Sequence, residues 1–217
     1  LIDTGTRCAD LDKIVGQITG KPLEVIVTHM HPDHAGCIKY FDKVWMHRAD
    51  TVLVPQHAAD YQGEFLYMEE GQVFDLGGRK LEVAWMPGHT PGSVVLLDKA
   101  NGDCYSGDAF GSGEVWLQCV PMSPIATFHE SCCRMEKLMK EGHIKDIWCG
   151  HYPYLKSSLP LAYIQTMIRI SHRLMNGDQE GSEPYSNYFI KMPPTARKLA
   201  EGRAMIVYDS TNIPEAR

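Results

Sequence analysis

Residues 28–36 read Thr-His-Met-His-Pro-Asp-His-Ala-Gly, so His29, His31, Asp33 and His34 crowd together directly after the apolar run Leu23-Glu24-Val25-Ile26-Val27. A strand that ends this way must place three imidazoles and a carboxylate in one short loop, and that loop offers the nitrogen and oxygen donors that zinc or iron prefers. An isolated histidine is more often a surface or satisfied core residue, and the chain has 10 histidines. A chance His-x-His-x-Asp-His at this composition arises roughly once per thousand chains of this length, a low false-positive rate for a motif. The cluster points to a metal-dependent enzyme.

With 217 residues, 44% of them hydrophobic, the chain can bury one large core. We expect a single domain over residues 1–217, with a variable, helical or lid-like C-terminal portion over 155–217. The net charge of −6 supplies no basic face, so nucleic acid is excluded as the expected partner in favour of a small-molecule substrate. No apolar run approaches the ~20 residues that span a bilayer, and no charged segment followed by an apolar one opens the chain, so no membrane partner is expected. Seven cysteines, Cys8, Cys37, Cys104, Cys119, Cys132, Cys133 and Cys149, are odd in number and contain no Cys-x-x-Cys pair. That pattern fits reduced thiols in a cytoplasmic protein. Cys149 lies two residues before His151, yet its place at the end of an apolar strand marks it as a buried, inert thiol rather than a ligand.

Leu1-Ile2-Asp3-Thr4-Gly5 reads as the end of a strand entering a turn, with no preceding partner strand, so the first strands of the fold are expected to be missing. Leu11, Ile14, Val15 and Ile18 recur at helical spacing before Gly20 and Pro22, predicting a helix that leads into a strand over 23–27. A short helix over 35–41, a strand over 43–46 and a weaker helical stretch over 48–60 follow. Gly77-Gly78 joins predicted strands 72–76 and 80–85, and Asn101-Gly102 lies between strands 93–98 and 103–106. Residues 125–139 and 159–175 have helical periodicity, 144–149 and 204–208 read as strands, and 177–188 is a polar loop.

Three further loops carry donors. Pro87-Gly88-His89-Thr90-Pro91-Gly92-Ser93 sets one histidine between two glycines and two prolines, a rigid loop whose backbone can pass close to a ligand. Ser106-Gly107-Asp108-Ala109-Phe110-Gly111 ends a strand with a carboxylate able to bridge two cations, and Cys149-Gly150-His151-Tyr152-Pro153 ends another with a histidine. Singly, each is an ordinary turn. Together with Asp3-Thr4-Gly5 and His29-x-His31-x-Asp33-His34, these loops resemble the five ordered motifs of the metallo-β-lactamase fold superfamily, over residues 1 to about 153.

The resemblance implies an α/β fold, the αββα sandwich of the metallo-β-lactamase type with two mixed sheets flanked by helices. It implies two divalent metal ions, zinc before iron or manganese. His29, His31 and His89 would hold one ion, Asp33, His34 and His151 the other, and Asp108 would bridge them, with Asp33 and Asp108 the catalytic carboxylates. Asp3 would either accept an imidazole N–H and fix a tautomer or shape the Thr-Gly turn. Two cations ~3.5–4 Å apart lower the pKa of a bridging water towards ~7. The implied reaction is attack of that hydroxide on the carbonyl of a small thioester or ester.

Asp108 and His34 resemble the glyoxalase II and lactonase branches more than true β-lactamases, and Cys149-Gly150-His151 resembles the glyoxalase II pattern at its last ligand. Two departures weaken glutathione as the carrier. Pro153 stands where that family has a tyrosine, and Gly113-Glu114-Val115-Trp116 replaces its Gly-Lys-Phe-Tyr glutathione-binding segment. The leading expectation is a dinuclear, hydroxyacylglutathione-hydrolase-like enzyme. The alternative is a lactonase in which Tyr105, Tyr152 or Tyr154 assists the carbonyl; the alternative of another class is a mononuclear iron persulfide dioxygenase using a three-histidine subset. Phosphodiester cleavage would want a basic surface, an oxygen-reducing di-iron protein would carry a glutamate in place of one histidine, and a structural zinc site needs four ligands rather than seven.

The helix over 159–175 is expected to wall the metals, where Arg169, His172 and Arg173 would either meet a substrate carboxylate or form a solvated face. Phe110, Trp116 and Tyr152 would line the pocket or pack in the core. An exposed sheet edge would be covered by a second copy in a homo-oligomer or by the final strand.

Overall fold

The apolar run at 23–27 enters the interior in extended form, with Val25, Ile26 and Val27 buried. It is flanked on both sides: Ile26 bridges Ile2 and Trp45 in parallel, Val27 N–H donates to Trp45 O at 2.9 Å, and Ile26 N–H donates to Leu1 O at 2.9 Å. The computed structural model describes residues 1–188 and 191–214.

Helix α1 (Leu11–Ile18) forms where the periodicity predicts it, although none of its residues is buried. The helix expected over 35–41 is displaced. Pro32, whose fixed φ and missing N–H suit a first helical turn, starts α2 (Pro32–Ala35) early and carries Asp33 and His34 onto it, leaving one 3₁₀ turn at Ile38–Tyr40. Strand β1 (Lys43–His47) runs into a 3₁₀ segment (Arg48–Leu53) and α3 (Val54–His57), then β2 (Glu64–Met68), which pairs in parallel with β1. Strands β3 (Val73–Asp75), β4 (Lys80–Trp85), β5 (Val94–Asp98) and β6 (Asp103–Gly107) form an antiparallel meander, with both predicted hairpins in place. After β7 (Glu114–Trp116) and α4 (Ile125–Lys140), β8 (Asp146–Cys149) joins β6 in parallel. Then come α5 (Tyr152–Leu155), α6 (Leu161–Met175), β9 (Glu183–Pro184), β10 (Ala196–Glu201) and β11 (Ala204–Asp209). The five-stranded sheet has the order β3-β4-β5-β6-β8, and a four-stranded sheet the order β7-β11-β10-β9.

Every residue of β5 is buried, the signature of a strand covered on both faces. Val94 and Leu96 face Ile26 and Met68 of the N-terminal layer, whereas Val95 and Leu97 face the core that contains Phe128 and Met135 of α4 and Ile164 and Met167 of α6. On the far side of β1, Val44 and Met46 pack against Val27, Met30 and Ala35. The layers therefore run helix, sheet, sheet, helix. Helix α6 lays its apolar side on α4 and on β10 and β11. Arg169 and Arg173 meet Glu201, and Arg173 also meets Asp178.

Candidate metal centre

The loops that follow the 23–27 segment, β4, β6 and β8 converge, and they bring all seven expected donors together in two groups. His29, His31 and His89 form one; Asp33, His34, Asp108 and His151 form the other; within each, one ligand atom per residue lies within 4.8 Å of all the others. The groups adjoin. The His29 and His34 rings are 4.2 Å apart, and Asp108 Oδ2 stands 3.1 Å from His151 Nε2 and 3.9 Å from His89 Nε2.

The surroundings fix which imidazole nitrogen faces inward. His89 Nδ1–H donates to Trp116 O at 2.8 Å, so Nε2 presents its lone pair to the site. His34 Nδ1–H donates to Asp3 Oδ2 at 2.7 Å, which turns Nε2 towards the site. Thr28 gives its hydroxyl proton to Asp3 Oδ2 at 3.0 Å, which leaves Thr28 Oγ1 to accept from His29 Nδ1 at 3.2 Å and again frees Nε2. Asp3 thus orients two histidines, one directly and one through Thr28. It also shapes the turn, with φ of 57° and its Oδ1 accepting Thr28 N–H at 2.7 Å. Both expected roles of Asp3 are present in one residue.

Buried polar atoms test whether cations fit. Among the described residues His29 Nε2, His34 Nε2, Asp108 Oδ1 and Gln118 Oε1 are buried without a hydrogen-bond partner. An unpaired buried polar atom costs about 1–3 kcal/mol; three of the four lie in this cluster, where His34 Nε2 and Asp108 Oδ1 face each other at 3.5 Å and His29 Nε2 has no partner. His31 Nδ1–H is placed to donate to His89 Nε2 at 2.9 Å, a bond between two imidazoles that a cation held by both would replace. The residues present fit divalent metal ions held by nitrogen and oxygen.

Protonation divides the two groups. Burial, and then the neighbouring imidazoles, pushes His29 well below the ordinary histidine range; burial and His89 push His31 to about 3; burial also lowers His89. All three are neutral ligands in waiting. Burial likewise opposes a charge on His34, but Asp3 and Asp108 override it and raise His34 to about 11. Hydrogen bonds to Asp108 and Asp33 raise His151 to about 9. Asp108 and Asp33 are lowered against their burial, with the hydrogen bond from His151 first among the causes. His34 and His151 would have to give up a proton to hold a cation in this second group.

Two neighbours carry no sequence signal. The ring of His57, at the end of α3, lies 5.8 Å from that of His31 in an edge-on arrangement. Cys119 follows the strand that supplies Trp116 O, and burial together with Asp33 and Asp108 raises its thiol to about 11. Cys149 is buried and its thiol is raised chiefly by burial, as expected of an inert cysteine. Of the three tyrosines, Tyr105 accepts from Arg79 Nη2 at 2.8 Å, Tyr152 lies on Trp148, and Tyr154 alone stacks near a donor, 5.8 Å from His151. Phe110 is fully buried, its carbonyl bonded by Tyr163 Oη at 2.7 Å, so it belongs to the core.

Comparison with known proteins decides the family: the model of the metallo-beta-lactamase superfamily matches residues 1–129. The chain belongs to that superfamily. Acyl-coenzyme A thioesterase MBLAC2 of Homo sapiens is 28% identical over 159 residues, covering 61% of this chain and 57% of that protein. Hydroxyacylglutathione hydrolase of Aeromonas salmonicida (strain A449) is 29% identical over 141 residues, covering 64% of this chain and 51% of that protein. The chain therefore spans little more than half the length of these relatives. Among solved structures, TTHA1623 in a di-iron-bound form matches with a TM-score of 0.56 and 27% identity, over 74% of this chain and 83% of that one. The metallo-beta-lactamase family protein TTHA1429 from Thermus thermophilus matches with a TM-score of 0.62 and 19% identity, over 84% and 74% of the two chains. The superfamily fold and the layer order described above agree.

Proposed function

We propose that this metallo-β-lactamase superfamily protein is a dinuclear metal-dependent hydrolase that cleaves acyl thioesters, adding water across the C–S bond to give a carboxylate and a thiol. The observation that carries the reading is the pair of donor groups meeting at Asp108, with His29 Nε2 buried and unpartnered in one group and His34 Nε2 facing Asp108 Oδ1 at 3.5 Å in the other. The bond class comes from the relatives, since an acyl-coenzyme A thioesterase and a hydroxyacylglutathione hydrolase share thioester cleavage despite unlike thiol carriers. Nitrogen and oxygen donors suit zinc, iron or manganese, and zinc is the metal we test first. Seven free cysteines support a reducing, cytoplasmic setting.

When bound, the ions supply Lewis acidity and an activated water. The chain's own residues prepare that chemistry. His29, His31 and His89 would hold one ion as neutral ligands, and Asp33, His34 and His151 the other, with Asp108 between them. Asp3, Thr28 and the Trp116 carbonyl hold the inward nitrogens in place, so little rearrangement accompanies catalysis. Both catalytic carboxylates stay ionised, through the histidines beside them.

The test is turnover by the zinc-loaded protein on an acyl-coenzyme A, a hydroxyacyl-glutathione, a lactone and a phosphodiester. Thiol release from a thioester, abolished in His29→Ala and in Asp108→Ala, is expected. Faster lactone than thioester turnover would move the reading to a lactonase, and full activity in either variant would mean that the site is misassigned.

A further inference from the structure

Strand β1 delivers its chain into a 3₁₀ turn where Asp50 is 1% exposed. A buried carboxylate is costly unless it is well hydrogen-bonded, and among the described residues no lysine or arginine pairs with it. Three donors from two different loops satisfy it instead. Met30 N–H donates to Oδ2 at 2.9 Å, Thr90 Oγ1 to Oδ2 at 3.0 Å, and Gly92 N–H to Oδ1 at 2.6 Å. Met30 lies between His29 and His31, and Thr90 directly follows His89. One side chain therefore ties together the two loops that carry every donor of the all-histidine group.

The tie is built into the neighbouring residues. A Cβ at Gly92 would stand 2.6 Å from Asp50 Cγ, so only glycine lets the His89 loop close onto the carboxylate. The glycines of that loop serve this approach and that of Phe128, where a Cβ at Gly88 would come within 2.9 Å, rather than the approach of a ligand. Thr90 is itself held, its Oγ1 2.9 Å and its N–H 3.0 Å from Ser93 Oγ. The His29, His31 and His89 rings sit 4.7–4.8 Å from one another.

We propose that Asp50 positions the all-histidine half of the metal centre: by clamping the His29–His31 loop to the His89 loop, it sets that half's affinity for a divalent ion. The proposal rests on the dinuclear reading above. Asp50 contacts backbone N–H groups and a hydroxyl, not the inward nitrogens, so it acts through loop spacing. Burial raises the Asp50 carboxyl above the ordinary range, and the bonds from Met30, Gly92 and Thr90 work against that rise.

The experiment is stepwise zinc binding measured by competition with a chromophoric chelator, in wild type, Asp50→Asn, Thr90→Val and His89→Ala. The step lost in His89→Ala identifies the all-histidine half. Asp50→Asn keeps the volume but turns one acceptor into a donor that faces a donor. That step should weaken about 10- to 100-fold, the usual effect of losing a group that orients a ligand, with the other step within about threefold. Thr90→Val removes one donor of three and should weaken the same step by a smaller factor, about three- to tenfold; it keeps the proposal testable if Asp50→Asn does not fold. Wild-type affinity at that step in the variants that fold would overturn the role of Asp50 while leaving two-site binding in place. An equal loss at both steps, together with a lower melting temperature of the metal-free protein, would also overturn it by reducing Asp50 to general support. Failure of wild type to bind two equivalents would sink the dinuclear reading itself.

Discussion

Gly150 precedes His151 at the point where the β8 loop passes the other half of the centre. A Cβ built there would stand 2.5 Å from His34 Cε1 and 3.0 Å from Asp108 Oδ1. Carbon atoms rest about 3.5–4.0 Å apart, so Gly150→Ala forces roughly an ångström of movement at a donor. Neither side yields easily. The His34 imidazole is held at 2.7 Å by Asp3, and Gly150 N–H donates to Gly107 O at 2.8 Å. Overpacking of this kind costs about 1–3 kcal/mol, and for a domain of this size each kcal/mol lowers the melting temperature by about 2–4 °C. We expect a fall of roughly 3–10 °C in the metal-free protein, and zinc binding weakened about 10- to 100-fold at the Asp33, His34, Asp108 and His151 group, with a smaller loss at the all-histidine group through the shared Asp108. Calorimetry and chelator competition measure the two effects. Gly16→Ala on α1, where a Cβ meets nothing within 4 Å, is the control and should be neutral or stabilising. Wild-type melting and two-site affinity in Gly150→Ala would refute the packing argument and the placement of His34 with it.

Other outcomes follow from the same geometry. Removing metal with a chelator should lower the melting temperature by about 5–10 °C per ion relative to protein at 100 times Kd, since binding contributes about 2.7 kcal/mol there. Phe128→Ala empties a fully buried site beneath the His89 loop and should cost about 3–5 kcal/mol in chemical denaturation. At Asp98, burial is outweighed by hydrogen bonds from Asn101 and Arg79, which hold the carboxyl below the ordinary range. A lowered folded-state pKa contributes stability above the unfolded value of about 3.9 that is lost as pH falls through the folded one. Asp98→Asn should therefore be less stable than wild type at pH 7, with the gap closing below about pH 4 in denaturant titrations; a pH-independent gap would contradict the assignment.

The donors were legible because each follows a strand or, for His29 to His34, an extended apolar segment, and sits near glycines and prolines, and such loops keep their chemistry in consecutive residues. What closes the centre was not. Asp50, His57 and Cys119 come near the site through tertiary packing across tens of residues, and no local pattern marks an aspartate in a helical-looking stretch as a clamp. The hairpins at Gly77-Gly78 and Asn101-Gly102 were readable from turn chemistry. Strand β2 was not read as one because its partner β1 lies beyond an intervening helical segment, and β10, reading Ala-Arg-Lys-Leu-Ala-Glu, has too weak an alternation to stand out. Helix α1 shows the converse, with helical periodicity but no buried residue. Periodicity reports local conformation, whereas burial depends on what arrives from elsewhere.

The most direct test of the central claim is the metal stoichiometry of the zinc-saturated protein by native mass spectrometry, beside His89→Ala and His151→Ala. Two ions in wild type and one in each variant are predicted. A single ion in wild type that survives in His151→Ala and is lost in His89→Ala would contradict the dinuclear centre and leave a mononuclear, three-histidine site in its place.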